Sequence, residues 1–168
     1  MIDQTLLPVE YKVIECATVD SLCEAIKSLR VRGAPALGAA GGFGVAVAAF
    51  RSEAGSMDKL LDDLQNAAHT IIATRPTAVN LSWGVKRVLG ALEDAKNIKE
   101  VRMFALDEAK AIADEDVEKN MQLGEHGAGL LEDGDTVMTH CNAGRLACVD
   151  WGTALGVIRS ARAQGKDI

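Results

Sequence analysis

Residues 32–51, RGAPALGAAGGFGVAVAAFR, are the segment that decides the fold of this chain. Pro35 suits the first turn of a helix, and the glycines and alanines behind it let neighbouring backbone approach closely. The apolar run of residues 35–50 is shorter than the ~18 residues that a bilayer crossing needs, and Arg32 and Arg51 flank it. The pattern therefore predicts a buried helix and not a membrane span.

Length and composition are those of an ordinary globular protein. The 168 residues correspond to about one domain at ~150 residues per domain. Apolar residues make up 48% and charged residues 25%, which excludes the membrane and disordered classes. Because 18 basic residues stand against 24 acidic ones, the net charge of −6 indicates no broad surface for nucleic acid. A bound anion would need a local site.

The cysteines point to a reducing compartment. Cys16, Cys23, Cys141 and Cys148 contain no CxxC pair and have no histidine at a ligand spacing. This argues against both a disulfide scaffold and a zinc site. Residues 1–5 show no basic segment followed by an apolar one, so no secretory signal is visible. We expect a cytoplasmic protein with reduced thiols.

Apolar periodicity predicts helices over most of the chain. Thr18 and Ser56 are good N-caps for the first and third helices, and Pro35 opens the second. The predicted helices cover residues 19–29, 35–50, 57–73, 77–95 and 98–123. Ahead of them, residues 4–16 carry short β-leaning runs around Pro8, which indicate a small antiparallel β element.

A second domain is expected to begin after residue 131, so that domains span residues 1–131 and 132–168. Residues 136–140 have the pattern of a short buried strand and residues 146–163 that of a helix, which together make the first βα step of a parallel sheet. A parallel strand needs partner strands, and none follows, so we expect a fragment of a longer protein. The alternative is a small helical domain whose one strand pairs with the N-terminal ribbon.

Two arginines near predicted helix starts suggest a phosphate site. The helix that opens at Pro35 directs its positive end towards Arg32, Gly33 and Ala34, where backbone N–H groups and a guanidinium can hold an anion together. Arg75 precedes a later helix and can supply a second guanidinium. Taken singly, each arginine could equally be a solvated charge beside an ordinary helix cap.

Cys141 is the candidate reactive group. It follows the predicted strand and precedes the predicted helix, where open α/β sheets bind ligands and where a helix dipole favours a thiolate. His140 would point to the opposite side of the strand, so a Cys–His nucleophile pair is disfavoured. The alternative is that Cys141 is a small buried hydrophobe, the role we assign to Cys16, Cys23 and Cys148.

Three motifs in this order resemble one known family. RGAPALG, RPTAVNLSWGV and THCNAG followed by WGTALGVIR are similar to the methylthioribose-1-phosphate isomerase family, the aldose–ketose isomerases of methionine salvage. The resemblance implies an α/β fold, in which a mostly helical N-terminal domain is followed by a Rossmann-like domain that is truncated here. It also implies a protein that is homodimeric when full length.

The resemblance assigns roles to particular residues. Phosphate contacts fall on Arg32, Gly33, Ala34 and Arg75, and the catalytic cysteine, a transition-state stabiliser, falls on Cys141. No metal and no organic cofactor are implied. The family's proton-donating aspartate belongs to the Rossmann-like half and has no counterpart here, so we expect the isolated chain to be inactive.

Two other functions remain open. Ribose-1,5-bisphosphate isomerase would keep the cysteine loop and the anion site but would need room for a second phosphate. The regulatory subunits of the eukaryotic translation-initiation guanine-nucleotide exchange factor share this architecture and act by protein contact. Both arginines and Cys141 are retained here, which favours the enzyme because a pure interaction subunit has no physical need for them. One departure from the family pattern is Arg145, where relatives usually have a small residue.

Overall fold

The computed structural model describes all 168 residues as an assembly of helices without any β-strand. The α-helices are α1 (Val19–Lys27), α2 (Ala34–Arg51), α3 (Met57–Ala73), α4 (Val79–Gly90), α5 (Ile98–Ala128) and α6 (Ala154–Ala163). Short 3-10 turns lie at Gln4–Leu6 and Arg145–Ala147. Helices account for 61% of the residues, so the predicted α/β fold class is wrong and the chain is all-α.

Helix α2 is the centre of the fold and is buried, as its sequence predicts. It packs against α1, α3, α4 and α5. A Cβ atom on Gly84 of α4 would stand 2.0 Å from the carbonyl oxygen of Gly38, so glycine lets these two backbones approach. By length and composition α2 could also cross a membrane, but 67% of it is buried inside the protein, as in the core helix of a soluble protein.

The starts of α1 and α3 confirm two predicted N-caps. Thr18 Oγ1 accepts a hydrogen bond from the backbone N–H of Ser21 within a capping box, and Ser56 Oγ accepts one from the N–H of Lys59. The predicted fourth helix is too long, because residues 91–94 form turns, and the predicted fifth is too short.

The predicted antiparallel element in residues 4–16 is not formed. Its only remnant is one isolated bridge between Ile2 and Val13. Gln4–Leu6 is a 3-10 turn, which takes these residues out of an extended conformation. The ladder therefore cannot continue beyond a single residue pair.

The predicted βα unit is also absent. Residues 136–140 have no partner strand anywhere in the chain and are mostly exposed, with Met138 95% exposed. The last helix begins only at Ala154, because Trp151 and Gly152 take left-handed backbone angles (φ 68° and 97°) that interrupt a helix. Neither a Rossmann-like unit nor a strand paired with the N-terminal ribbon is seen.

The segment after residue 131 remains in contact with the helices before it. Helix α6 packs along α5. The ammonium group of Lys166 donates to the carbonyl oxygens of Ala128 and Leu131, each at 2.6 Å, at the end of α5. The division into domains at residue 131 stays a prediction.

Candidate functional site

One cavity of about 700 Å³ is lined by all five residues that the sequence selects. Two of them belong to the turn before α2, one is the first residue of α2, one belongs to the segment before α4 and one to the loop after residue 140. They are Arg32, Gly33, Ala34, Arg75 and Cys141. Further wall residues are Asn80, Asn142, Ala147, Cys148 and Thr153. The structure thus brings the selected residues together, while their roles stay predictions.

The N-termini of α2, α4 and α6 border this cavity without side-chain caps. The residues that precede these helices, Gly33, Ala78 and Thr153, all line the cavity, and none makes a side-chain capping hydrogen bond. By contrast, α1, α3 and α5 are each capped by a side chain. Uncapped N–H groups and the positive ends of helix dipoles favour a negatively charged ligand.

The charged side chains of the cavity wall are both basic. Arg32 and Arg75 are the only charged residues that line it, and neither takes part in an ion pair within the protein. The wall therefore carries two positive charges and no carboxylate, in a chain with a net charge of −6. An anion can bind here without displacing an internal partner. No group of three side chains that could hold a metal ion occurs in the structure.

The turn before α2 is supported from the N-terminal segment. Arg30 forms an ion pair with the buried carboxylate of Asp3. Hydrogen bonds from the Thr5 hydroxyl and from Arg30 lower the pKa of Asp3. Gln4 Nε2 donates to the carbonyl oxygen of Leu146 at 2.7 Å, which joins this segment to the residue before Ala147 of the cavity wall.

Cys141 has a different local setting from the one predicted. No strand precedes it, and residues 142–153 separate it from α6. It is an exposed free cysteine with a left-handed backbone angle (φ 68°). Such an angle costs a non-glycine residue roughly 1–3 kcal/mol and is common at functional sites. His140, its neighbour in sequence, does not line the cavity.

Cys148 and Thr153 line a part of the wall but are not among the predicted site residues. Cys148 is buried, 5% exposed, as predicted, but it also lines the cavity. Burial raises the pKa of its thiol, and the neighbouring carboxylate of Asp116 raises it further. Thr153 precedes α6 as Gly33 precedes α2, so a correct helix boundary would have pointed to it.

Fold and site together define a class of protein. It is an all-helical protein with one cavity that is lined by two unpaired arginines, three uncapped helix starts and an exposed thiol. Residues 30–168 match the initiation factor 2 subunit family, and the chain belongs to this family.

Similar proteins carry the name that the motifs suggest. A Methanosarcina acetivorans protein named "putative methylthioribose-1-phosphate isomerase" is 62% identical over 168 residues, which cover 100% of this chain and 48% of that protein. The methylthioribose-1-phosphate isomerase of Thermosipho melanesiensis is 45% identical, and the aligned region covers 100% of this chain and 49% of that protein. These relatives confirm the family resemblance of the three motifs.

Two crystal structures share the fold. The 5-methylthioribose 1-phosphate isomerase from Pyrococcus horikoshii OT3 superposes with a TM-score of 0.94 at 44% identity, over 99% of this chain and 47% of that chain. The translation initiation factor eIF-2B, subunit delta, from A. fulgidus superposes with a TM-score of 0.92 at 57% identity, over 99% of this chain and 49% of that chain. The chain spans about half the length of the proteins it matches.

Proposed function

We propose that this chain is the phosphate-binding, thiol-bearing half of an aldose–ketose isomerase that converts 5-methylthioribose 1-phosphate to 5-methylthioribulose 1-phosphate in methionine salvage. The observation that carries the proposal is that Arg32, Gly33, Ala34, Arg75 and Cys141 all line one cavity. The motif resemblance and the names of the relatives support the same reaction. Neither a metal nor an organic cofactor is part of the proposal.

The phosphate of the substrate binds towards the two arginines. Arg32 and Arg75 donate charge-assisted hydrogen bonds, each contributing about 1.5–3 kcal/mol. Because Gly33 has no side chain, Ala147 can pack against the turn before α2. The uncapped N–H groups at the start of α2 can then bind the phosphate. No carboxylate lines the cavity to compete for the guanidinium groups.

The reaction breaks the bond between C1 and the ring oxygen, moves the hydrogen on C2 to C1 and turns C2 into a carbonyl. The proton of the C2 hydroxyl ends on the former ring oxygen, so the formula is unchanged. The phosphate on C1 blocks the ordinary route through a free aldehyde. Proton transfer through an enediol and hydride shift both develop charge on the sugar oxygens, which a water-poor site with fixed dipoles stabilises. Cys141 is the proposed transition-state stabiliser, and the proton-donating aspartate comes from the rest of the protein.

Location and assembly are further parts of this proposal. All four cysteines are free thiols, which supports a cytoplasmic protein. We expect a homodimer when the protein is full length, by resemblance to the family. The net charge of −6 supports the absence of a nucleic-acid partner, and the burial of α2 supports the absence of a membrane partner.

A non-catalytic subunit is the second candidate. It is favoured by the match of residues 30–168 to the initiation factor 2 subunit family and by the TM-score of 0.92 with a structure described as an initiation factor subunit. Such a subunit would act through its surface and would not need the unpaired Arg32 and Arg75 or the exposed thiol of Cys141 in a cavity. We therefore rank the isomerase first.

The test is an isomerase assay on this chain joined to the remainder of its own coding sequence. We expect turnover of 5-methylthioribose 1-phosphate and none of ribose 1,5-bisphosphate. Turnover of the bisphosphate alone would assign the other isomerase activity, and turnover of neither would favour the interaction subunit. The 168-residue chain alone should be inactive, and appreciable turnover by it would contradict the fragment interpretation.

A further inference from the structure

The loop of residues 145–150, which forms one wall of the cavity, is held from outside by α5. The backbone N–H of Val149 donates to Asp116 Oδ2 at 2.7 Å. One turn further along α5, Asn120 is 5% exposed and its Nδ2 lies 3.5 Å from the carbonyl oxygen of Asp150. Two polar side chains of α5 thus hold the main chain of the loop.

This loop carries two features of the cavity. Ala147 lies so close to Gly33 that a Cβ atom on that glycine would stand 2.3 Å from the Ala147 Cα. Cys148 is buried and lines the wall. A displacement of the loop would therefore loosen the turn before α2 and expose the Cys148 thiol.

We propose that Asp116 is a positioning residue for the phosphate site, acting through its hydrogen bond to the Val149 N–H. The inference rests on the proposed function, since it takes the cavity to be the site of a sugar phosphate. Asp116 does not line the cavity itself, so it does not touch the ligand.

The carboxylate of Asp116 acts as a hydrogen-bond acceptor and not as a charge. It forms no ion pair in the structure, although it is half-buried. Burial also raises its pKa, which reflects the cost of keeping a charge there. The amide oxygen of an asparagine could accept the same hydrogen bond without that cost.

The alkylation rates of two buried cysteines can test this proposal. Cys148 lies in the loop, and Cys23, which is equally buried, lies in α1 away from it. We expect Asp116→Ala to increase the alkylation rate of Cys148 by iodoacetamide about tenfold, which corresponds to the loss of one ordinary hydrogen bond. Cys23 should keep its wild-type rate, and Asp116→Asn should behave as the wild type. Mass spectrometry of the peptides gives each rate separately.

The second measurement is the affinity of the wild type and of both Asp116 variants for inorganic phosphate, determined by NMR titration. Asp116→Ala should weaken phosphate binding and Asp116→Asn should restore it. Arg75→Ala tests the proposed function separately. If the phosphate affinity of this variant equals that of the wild type, the proposed function fails, whatever the result for Asp116.

Three outcomes overturn the role of Asp116. In the first, Asp116→Ala keeps the wild-type alkylation rate of Cys148 and the wild-type affinity for phosphate, although Arg75→Ala weakens phosphate binding. Another is an equal rise in the rates of Cys23 and Cys148, which means global destabilisation. If Asp116→Ala does not fold, Asp116→Asn decides, because faster alkylation of Cys148 in that variant would contradict a role as acceptor.

Discussion

Gly33 and Ala147 are in backbone contact across the cavity wall. A Cβ atom on Gly33 would stand 2.3 Å from both the Cα and the carbonyl oxygen of Ala147. Gly33 also has a φ of 113°, which residues with side chains rarely adopt. The contact joins the turn before α2 to the loop before α6, so two segments far apart in sequence line one cavity.

We expect Gly33→Ala to lower the free energy of unfolding by about 1–3 kcal/mol from backbone strain alone, with the clash against Ala147 adding to this. Phosphate binding should weaken as well, because the turn has to move. Urea denaturation and phosphate titration measure the two effects. Gly90→Ala is the matched control, since a Cβ atom there meets nothing within 4 Å. Equal stability of the two variants would contradict the prediction.

Arg75→Ala should weaken substrate binding by about 1.5–3 kcal/mol, the contribution of a charge-assisted hydrogen bond. In the full-length enzyme this appears as a higher KM with a smaller change in kcat. Arg162→Ala serves as the control, because Arg162 is exposed and pairs with Asp167 away from the cavity. An unchanged KM in Arg75→Ala would remove this residue from the site.

Cys141→Ser in the full-length enzyme should lower kcat by at least ~100-fold, the loss expected for a positioned catalytic group. The fold should change little, because Cys141 is exposed. Circular dichroism and steady-state kinetics check both statements. Cys16→Ser, at a cysteine outside the cavity, should retain activity. Near-normal turnover by Cys141→Ser would leave the thiol without a catalytic role.

The lowered pKa of Glu115 predicts that the stability of the protein depends on pH. Hydrogen bonds from Arg87 and then from Lys119 lower its pKa from 4.5 to about 2. Because the folded-state pKa lies below the unfolded one, the stabilisation is present above pH 4.5 and is lost as the pH falls towards about 2. Glu115→Gln should thus be less stable than the wild type at neutral pH, and the difference should shrink over this range.

Thermal unfolding at a series of pH values measures this difference. Glu125→Gln is the control, since Glu125 is an exposed residue of α5 without an ion pair. A difference between wild type and Glu115→Gln that stays constant down to the lowest pH would show that the ion pairs of Glu115 with Arg87 and Lys119 contribute nothing.

The helices of this protein could be predicted from sequence because their signals are local. The N-caps at Thr18 and Ser56 act within one turn, and the apolar content of residues 35–50 already requires burial of most of that helix. The strands could not be predicted in the same way. Residues 136–140 have an apolar pattern, but a strand exists only when another strand pairs with it, and none does here.

For the candidate site, the sequence alone determined which residue types stand between the helices, namely Arg32 and Gly33 before α2 and Arg75 between α3 and α4, since charge and turn preferences belong to single positions. Only the tertiary structure decided that they share a cavity with Cys141 and Cys148. The physical reason is that the wall depends on the contact of Gly33 with Ala147 and on the support of the loop by α5. Such contacts between distant segments leave no periodic trace in the chain.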